Sequence, residues 1–146
     1  MKKLAVFVTV AAIVGIFSGV AGAQQFTVMV DVGSISSLGM GSGGMLSTGG
    51  GPIIFNNQAI GNFMHTSQTM TMQGMMGMES FQHRMITLQL PGIGMVFGMM
   101  AGGTPWSGAS GIIIGGTDGA HGISGTVTVG AQVSPNQYPF VFNLGP

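Results

Sequence analysis

Apolar and polar residues alternate with a period of two through much of the chain. The alternation is clearest at residues 26–32, which read FTVMVDV, and it recurs at residues 86–90, 93–99, 123–129 and 138–144. A period of two is typical of β-strands with one buried face, because successive side chains of a strand point to opposite sides. The pattern therefore predicts a series of short strands after residue 23.

The period also groups the side chains of each segment by face. It places Ile86, Leu88 and Leu90 on one face of their segment. In the next segment, the period places four larger apolar side chains on one face and Val96 on the other. The four are Ile93, Met95, Phe97 and Met99. Buried faces are predicted to consist of these apolar sets.

Glycine and proline separate the predicted strands. Pro91 and Gly92 lie between two of the segments and predict a turn, since proline fixes φ and glycine accepts a positive φ. Residues 39–51, which read GMGSGGMLSTGGG, are predicted to form a flexible loop with room for one short strand. No stretch of the sequence has the apolar period of an amphipathic helix.

Eight or nine short strands without helices predict an all-β fold, either a sandwich or a barrel. A single antiparallel barrel of about eight strands is favoured, because a closed barrel has no exposed strand edges. This chain lacks the charged residues that usually protect such edges from pairing with other chains.

The N-terminus has the pattern of a secretory signal peptide. Lys2 and Lys3 precede the apolar residues 4–20, and small residues at Ala21 and Ala23 fit a cleavage site before Gln24. We therefore predict a signal peptide at 1–23, a barrel domain at 24–146, and a secreted, extracellular protein (apoplastic if the source is a plant) with no membrane association after cleavage. The alternative is an uncleaved membrane anchor, since the apolar run is nearly long enough to span a bilayer.

Charged residues make up only 4% of the 146 residues. After residue 23 they are Asp31, Glu79, Arg84 and Asp118. So few cations exclude nucleic acid as a partner, because they cannot neutralise a run of phosphates. A surface with so little charge repulsion favours self-association, so we expect a homo-oligomer, and a self-associating structural extracellular protein is one alternative function.

Residues 115–125, which read GGTDGAHGISG, resemble the GGTGxFxxARG signature of dirigent proteins and related turns of allene oxide cyclase barrels. The matching positions are Gly115, Gly116, Thr117 and Gly125. Asp118 stands where the family has a glycine, and Ala120 and Ser124 replace an aromatic residue and an arginine. The chain is thus identified as a diverged member of this β-barrel superfamily.

The resemblance implies a function as well as a fold. Dirigent proteins are eight-stranded barrels that bind apolar aromatic molecules and steer the stereoselective coupling of phenoxy radicals, which a separate oxidase supplies. By that likeness the chain would need no cofactor, and any activity would be a guiding or cyclase-like role. Asp31 and then Asp118 are the candidate polar groups of the pocket; alternatively, Asp31 ends a strand at the surface. No residue is assigned a catalytic role, and no nucleophile motif supports a hydrolase.

A cluster of methionines is the second candidate site. Five of the 14 methionines fall within nine residues, and they are Met70, Met72, Met75, Met76 and Met78. Thioether sulfur is a soft ligand, so with the flanking His65 and His83 the cluster could bind copper as Cu(I). A Met-rich secreted copper-binding protein is therefore a further alternative function. The other interpretation is that Met70 and Met72 face the core of a strand or form an adaptable ligand surface.

Overall fold

The computed structural model describes residues 24–33, 36–41, 44–102 and 106–145. The predicted signal peptide at 1–23 lies outside the described residues. One antiparallel sheet contains nine strands, interrupted by a short 3-10 helix, η1, at Asp118–Ala120. The strands are β1 (Gln24–Asp31), β2 (Ser36–Gly41), β3 (Gly44–Phe55), β4 (Gln58–Gly74), β5 (Gly77–Leu90), β6 (Gly94–Gly102), β7 (Ser110–Gly116), β8 (Ser124–Val129) and β9 (Gln137–Gly145).

Eight of the strands close into a barrel. The order around the sheet is β1-β9-β8-β7-β6-β5-β4-β3, and β1 returns to pair with β3 at Met29↔Ile54 and Val30↔Ile53. Strand β2 lies outside the closed ring and pairs with β3 alone. The prediction of an all-β, eight-stranded antiparallel barrel is confirmed.

The barrel has two ends, which we name after residues that lie there. At the Leu90 end, β5 and β9 finish while β1 and β6 begin. At the Asp31 end, β1 finishes and the loop that contains Trp106 connects β6 to β7. The β4–β5 hairpin projects beyond the Asp31 end, because β6 pairs with β5 only as far as Gln82.

Inward-facing apolar side chains fill the barrel. Val28 and Val30 of β1 are buried, as are Ile86, Leu88 and Leu90 of β5, which confirms the faces predicted for these two strands. Strands β8 and β9 add Val127, Val129, Phe140, Phe142 and Leu144 to the same core.

The face predicted for the segment after Pro91 was wrong within β6, although Ile93, which precedes β6, is buried as predicted. Val96 and Met100 face the core, whereas Met95 and Phe97 face outward. The register with β5 explains the difference, because the inward-facing Leu88 lies opposite Val96. The error is a phase shift of one residue, which exchanges the two faces of a strand.

Two further predictions are corrected by the structure. Within the predicted flexible loop at 39–51, residues 39–41 belong to β2 and residues 44–51 to β3, and the two strands pair with each other. Met70 and Met72 do not face the core, since both are exposed. From Phe63 onward the inward positions of β4 are the odd ones, and the even-numbered side chains of that part therefore point outward.

Among the described residues there is no helix long and apolar enough to cross a membrane.

Candidate functional site: the Leu90 end of the barrel

An apolar cavity lies inside the barrel at the Leu90 end. Every residue that lines it is hydrophobic; they are Phe26, Val28, Ile53, Phe55, Ile60, Leu88, Leu90, Val96, Phe142 and Leu144. Its free volume is about 10 Å³, which is room for about one water molecule. An aromatic ring is larger than a water molecule, so it must displace side chains in order to enter the cavity.

Side chains at the mouth of this cavity are the ones best placed to move. Phe26, Phe55 and Ile60 are only partly buried and pack against the core from its edge. Phe26 stacks on Phe142, with ring centroids 5.1 Å apart and planes inclined by 15°. Offset stacking of this kind is a favourable arrangement for aromatic rings, so a planar aromatic ligand would meet a surface that already stacks rings.

A second, open groove of about 460 Å³ adjoins the cavity on the outside. It is lined by the turn between β5 and β6 and by the start of η1; these residues are Gln89, Leu90, Pro91, Gly92, Ile93, Gly94, Met95, Thr117, Asp118 and Gly119. Leu90 lines both the cavity and the groove, so the two are neighbouring spaces.

The GGT segment reaches the groove through Thr117. Met95 and Thr117 are joined twice: the Met95 N–H donates to Thr117 Oγ1 at 3.0 Å, and the Thr117 N–H donates to the Met95 carbonyl at 2.9 Å. Gly116 lies so close to η1 that a Cβ there would stand 2.5 Å from the Ala120 carbonyl oxygen. The segment therefore packs η1 against the barrel, with Ala120 buried beneath it.

The other two matched glycines occupy positive-φ positions on neighbouring strands. Gly115 has φ 153° at the end of β7, and Gly125 has φ 152° near the start of β8. At Gly125 a Cβ would stand 2.1 Å from the Asn143 carbonyl oxygen of β9. Both positions suit glycine, which adopts such backbone conformations without steric cost.

The two candidate aspartates lie at opposite ends of the barrel. Asp118 is exposed in the groove, where one carboxylate oxygen accepts a hydrogen bond from the Thr117 hydroxyl at 3.2 Å. Asp31 accepts a hydrogen bond from the Gly33 N–H at 2.9 Å and does not line the cavity. At roughly 3.3 Å per residue, it stands about 17 Å along β1 from Phe26. Its assignment as a pocket group stays a prediction.

A buried polar cluster, formed by His65, Ser67 and Arg84, lies inside the barrel toward the Asp31 end. Arg84 is fully buried, and its guanidinium carbon stands 4.3 Å from the centroid of the Trp106 ring. This placement is a cation–π contact, which is strongest where water is excluded. Arg84 Nη2 also donates a hydrogen bond to Gln82 Oε1.

His65 packs beside this arginine. Its Nδ1 is 3.0 Å from Ser67 Oγ, and its ring meets the Trp106 ring edge-on at a centroid distance of 4.8 Å. Only 2% of the residue is exposed to solvent. Burial lowers the pKa of His65 to about 4; the Val32 backbone carbonyl opposes this shift and the charge of Arg84 adds to it. His65 is therefore neutral at physiological pH.

Burial also lowers the pKa of Arg84, to about 10, while Tyr138 acts in the opposite direction. The arginine thus stays charged at neutral pH. The sequence analysis did not single out Arg84, although it lies two residues before Ile86 and so shares the inward face of β5. The alternation alone could have identified it as a buried cation.

The methionine cluster lies on the projecting β4–β5 hairpin. Met75 and Met76 form its tip and are 105% and 97% exposed, and Met72 and Met78 are more than half exposed. The two predicted histidine ligands are separated from each other: His83 lies on the outer face, paired with Gln68, whereas His65 is inside the barrel. By strand length, His65 stands roughly 30 Å from the tip.

Within the described residues, no three His, Cys, Asp or Glu side chains are grouped closely enough to bind a metal ion. Methionine sulfur is a different kind of donor, and copper binding by the methionine cluster stays a proposal.

Comparison with solved structures shows the fold to be a known one. The chain is similar to a structure described as pyocyanin demethylase, with a TM-score of 0.68 over 83% of this chain and 99% of that chain, at 14% sequence identity. No model of a protein family and no curated protein matches the sequence. The barrel is therefore shared with this structure, and the resemblance to dirigent proteins stays a prediction.

Proposed function

We propose that the barrel binds an apolar aromatic small molecule in the cavity at the Leu90 end. The observation that carries the proposal is the cavity itself, an inner space whose ten lining residues are all hydrophobic and include three phenylalanines. Ligand pockets are typically larger apolar recesses with a few polar groups at the rim, so this cavity would have to widen by movement of the side chains at its mouth. The similarity to a structure described as pyocyanin demethylase supports small-molecule binding by this fold.

The finer proposal is that bound phenoxy radicals couple stereoselectively, as the dirigent resemblance implies. A separate oxidase or one-electron oxidant would remove a hydrogen atom from each phenol, and the barrel would only orient the radicals. A wholly apolar cavity suits this role, because it offers shape and stacking surfaces but no acid, base or redox group to the ring.

The first experiment measures binding of coniferyl alcohol by calorimetry to residues 24–146. A dissociation constant on the order of 0.1–1 mM is expected for a ligand of this size. Val96→Leu fills the cavity and should weaken binding at least about tenfold, since the larger side chain leaves more volume for the entering ring to displace. Val133→Leu is the matched control at an exposed site and should bind like the unaltered protein.

A second experiment tests coupling. Coniferyl alcohol and a one-electron oxidant are mixed with the protein, and the products are separated by chiral chromatography. If the products show an enantiomeric excess and Val96→Leu abolishes it, radical steering occurs at the Leu90 end. If Asp31→Ala abolishes the excess and Val96→Leu does not, the site lies at the opposite end. Racemic products from folded protein that binds the alcohol would overturn the coupling role and leave binding intact.

A further inference from the structure

The groove beside the cavity adds a second recognition element to the proposed site. We propose that it receives the polar head of the same ligand, and that this head is a cation, an ammonium group, bound by the Asp118 carboxylate. The inference rests on the proposed function, because it places the aromatic part of the ligand in the apolar cavity.

The nearness of the two spaces is the first argument. Leu90 lines both the inner cavity and the groove, so it stands between them. A ligand whose ring enters among the apolar side chains and displaces that of Leu90 can therefore extend a short substituent into the groove. The substituent would enter an open, water-accessible space of about 460 Å³, large enough to hold a charged head without burying it completely.

The hydrogen-bonding character of the groove is the second argument. Backbone N–H groups along its walls already donate within the protein: Gly119 to the Ile93 carbonyl at 2.7 Å, Ile93 to the Leu90 carbonyl at 3.0 Å, and Thr117 to the Met95 carbonyl at 2.9 Å. The Met95 N–H donates to the Thr117 hydroxyl oxygen. With these four donors in use, this part of the wall offers acceptors to a ligand, whereas the side-chain amide of Gln89 supplies donors elsewhere in the groove.

Charge is the third argument. Among the described residues that line the groove, Asp118 is the one charged side chain. The Thr117 hydroxyl occupies one of the roughly four acceptor positions of a carboxylate, and the others can accept donors from a ligand. An ammonium group has three donors and the complementary charge, whereas a carboxylate on the ligand would be repelled.

The test compares three ligands with one carbon skeleton: cinnamylamine, cinnamyl alcohol and cinnamate. Dissociation constants are measured by calorimetry at pH 7 and 0.1 M salt with residues 24–146. The amine is expected to bind about two- to fivefold more tightly than the alcohol, the range of an exposed ion pair, and cinnamate more weakly than either. Raising the salt to 0.5 M should reduce the advantage of the amine.

Asp118→Asn is the decisive variant. Asparagine is readily accepted at the positive φ of this position and can still accept a hydrogen bond from Thr117, so the fold should be kept. The variant should bind the amine no more tightly than the alcohol. Asp31→Asn removes the same charge at the other end, beyond the screening length of about 10 Å, and should leave the preference for the amine unchanged.

The outcomes separate the two proposals. Equal binding of the three ligands, tighter binding of cinnamate, or equal losses in the two variants would overturn the role of Asp118 and leave the aromatic site standing. If none of the three ligands binds, the proposed function itself is wrong, and the inference that depends on it is wrong too.

Discussion

Protonation of the buried histidine should make the stability of the barrel depend on pH. His65 has a pKa of about 4 in the folded protein, against an ordinary value of 6.5 that the unfolded chain should retain. Because the unfolded state binds the proton first, the free energy of unfolding is at its full value above about pH 6.5 and falls as the pH is lowered toward the folded pKa. Between pH 7.5 and 5 the loss should be about 2 kcal/mol, at about 1.4 kcal/mol per pKa unit.

Urea denaturation followed by Trp106 fluorescence at the two pH values measures this loss. His65→Gln has no group that titrates in this range, so its free energy of unfolding should change by less than about 0.5 kcal/mol between the two pH values. The matched control is a variant with His83→Gln and His121→Gln, which keeps the buried ring and should keep the full loss. The reasoning is refuted if His65→Gln retains the pH dependence or if the control loses it.

Arg84 offers a second check on the same physical argument. Its charge lowers the pKa of His65, though less than burial does. In Arg84→Met the pKa of His65 should therefore rise, and the stability lost between pH 7.5 and 5 should become smaller. An unchanged or larger loss would show that the two side chains do not interact as their placement indicates.

Three further predictions concern the GGT segment, the methionines and the outer surface. Gly116→Ala should lower the free energy of unfolding by about 1–3 kcal/mol, because the new Cβ would meet the Ala120 carbonyl, whereas Gly145→Ala, with open space around it, should be neutral in the same urea titration. If the hairpin binds copper, a competition titration should show Cu(I) binding tighter than micromolar that is lost on changing three residues to leucine, namely Met72, Met75 and Met78; micromolar or weaker binding by the unaltered protein would contradict the copper proposal. Met85 and Ile112, both more than half exposed and linked through Met99 across β6, form an apolar row on the outside of the barrel. If the protein self-associates through this row, Ile112→Glu should reduce its mass in sedimentation, while Thr27→Glu at an exposed site of β1, on the opposite side of the barrel, should not. A monomer in all cases would refute self-association.

The fold could be predicted from the sequence because alternation in several segments was strong. In β5 the apolar Ile86 and Leu88 are separated by the polar Thr87, so only one face could be buried. In β6 the rule failed, since Met95 and Phe97 on the outer face are as hydrophobic as Val96 on the inner one. Only the register with β5 decides between the two faces, and that pairing is a long-range property.

The glycine-rich region shows the same limit. Residues 39–51 contain few side chains that favour a strand, yet residues 45–48 pair with residues 66–69 of β4. Strand pairing here is set by the neighbouring strand rather than by local preference.

The candidate site was predictable only in part. Asp118 was singled out with the GGT segment, and it does line a groove. The cavity beside it is built from six different strands, whose ends meet only after the barrel closes. His65 was considered as a metal ligand because it lies near the methionines in sequence, but β4 directs its side chain into the barrel. Sequence proximity did not reveal on which face of the strand it lies.

The most direct test of the account is an NMR titration of the methyl groups of leucine, isoleucine and valine with coniferyl alcohol. We predict ring-current shifts at the methyl groups of Val28, Leu88, Val96 and Leu144, which line the cavity. The methyl groups of Val127 and Val129, which lie in the core but outside that lining, should stay in place. Shifts confined to the second set, or none at millimolar ligand, would contradict binding at the Leu90 end.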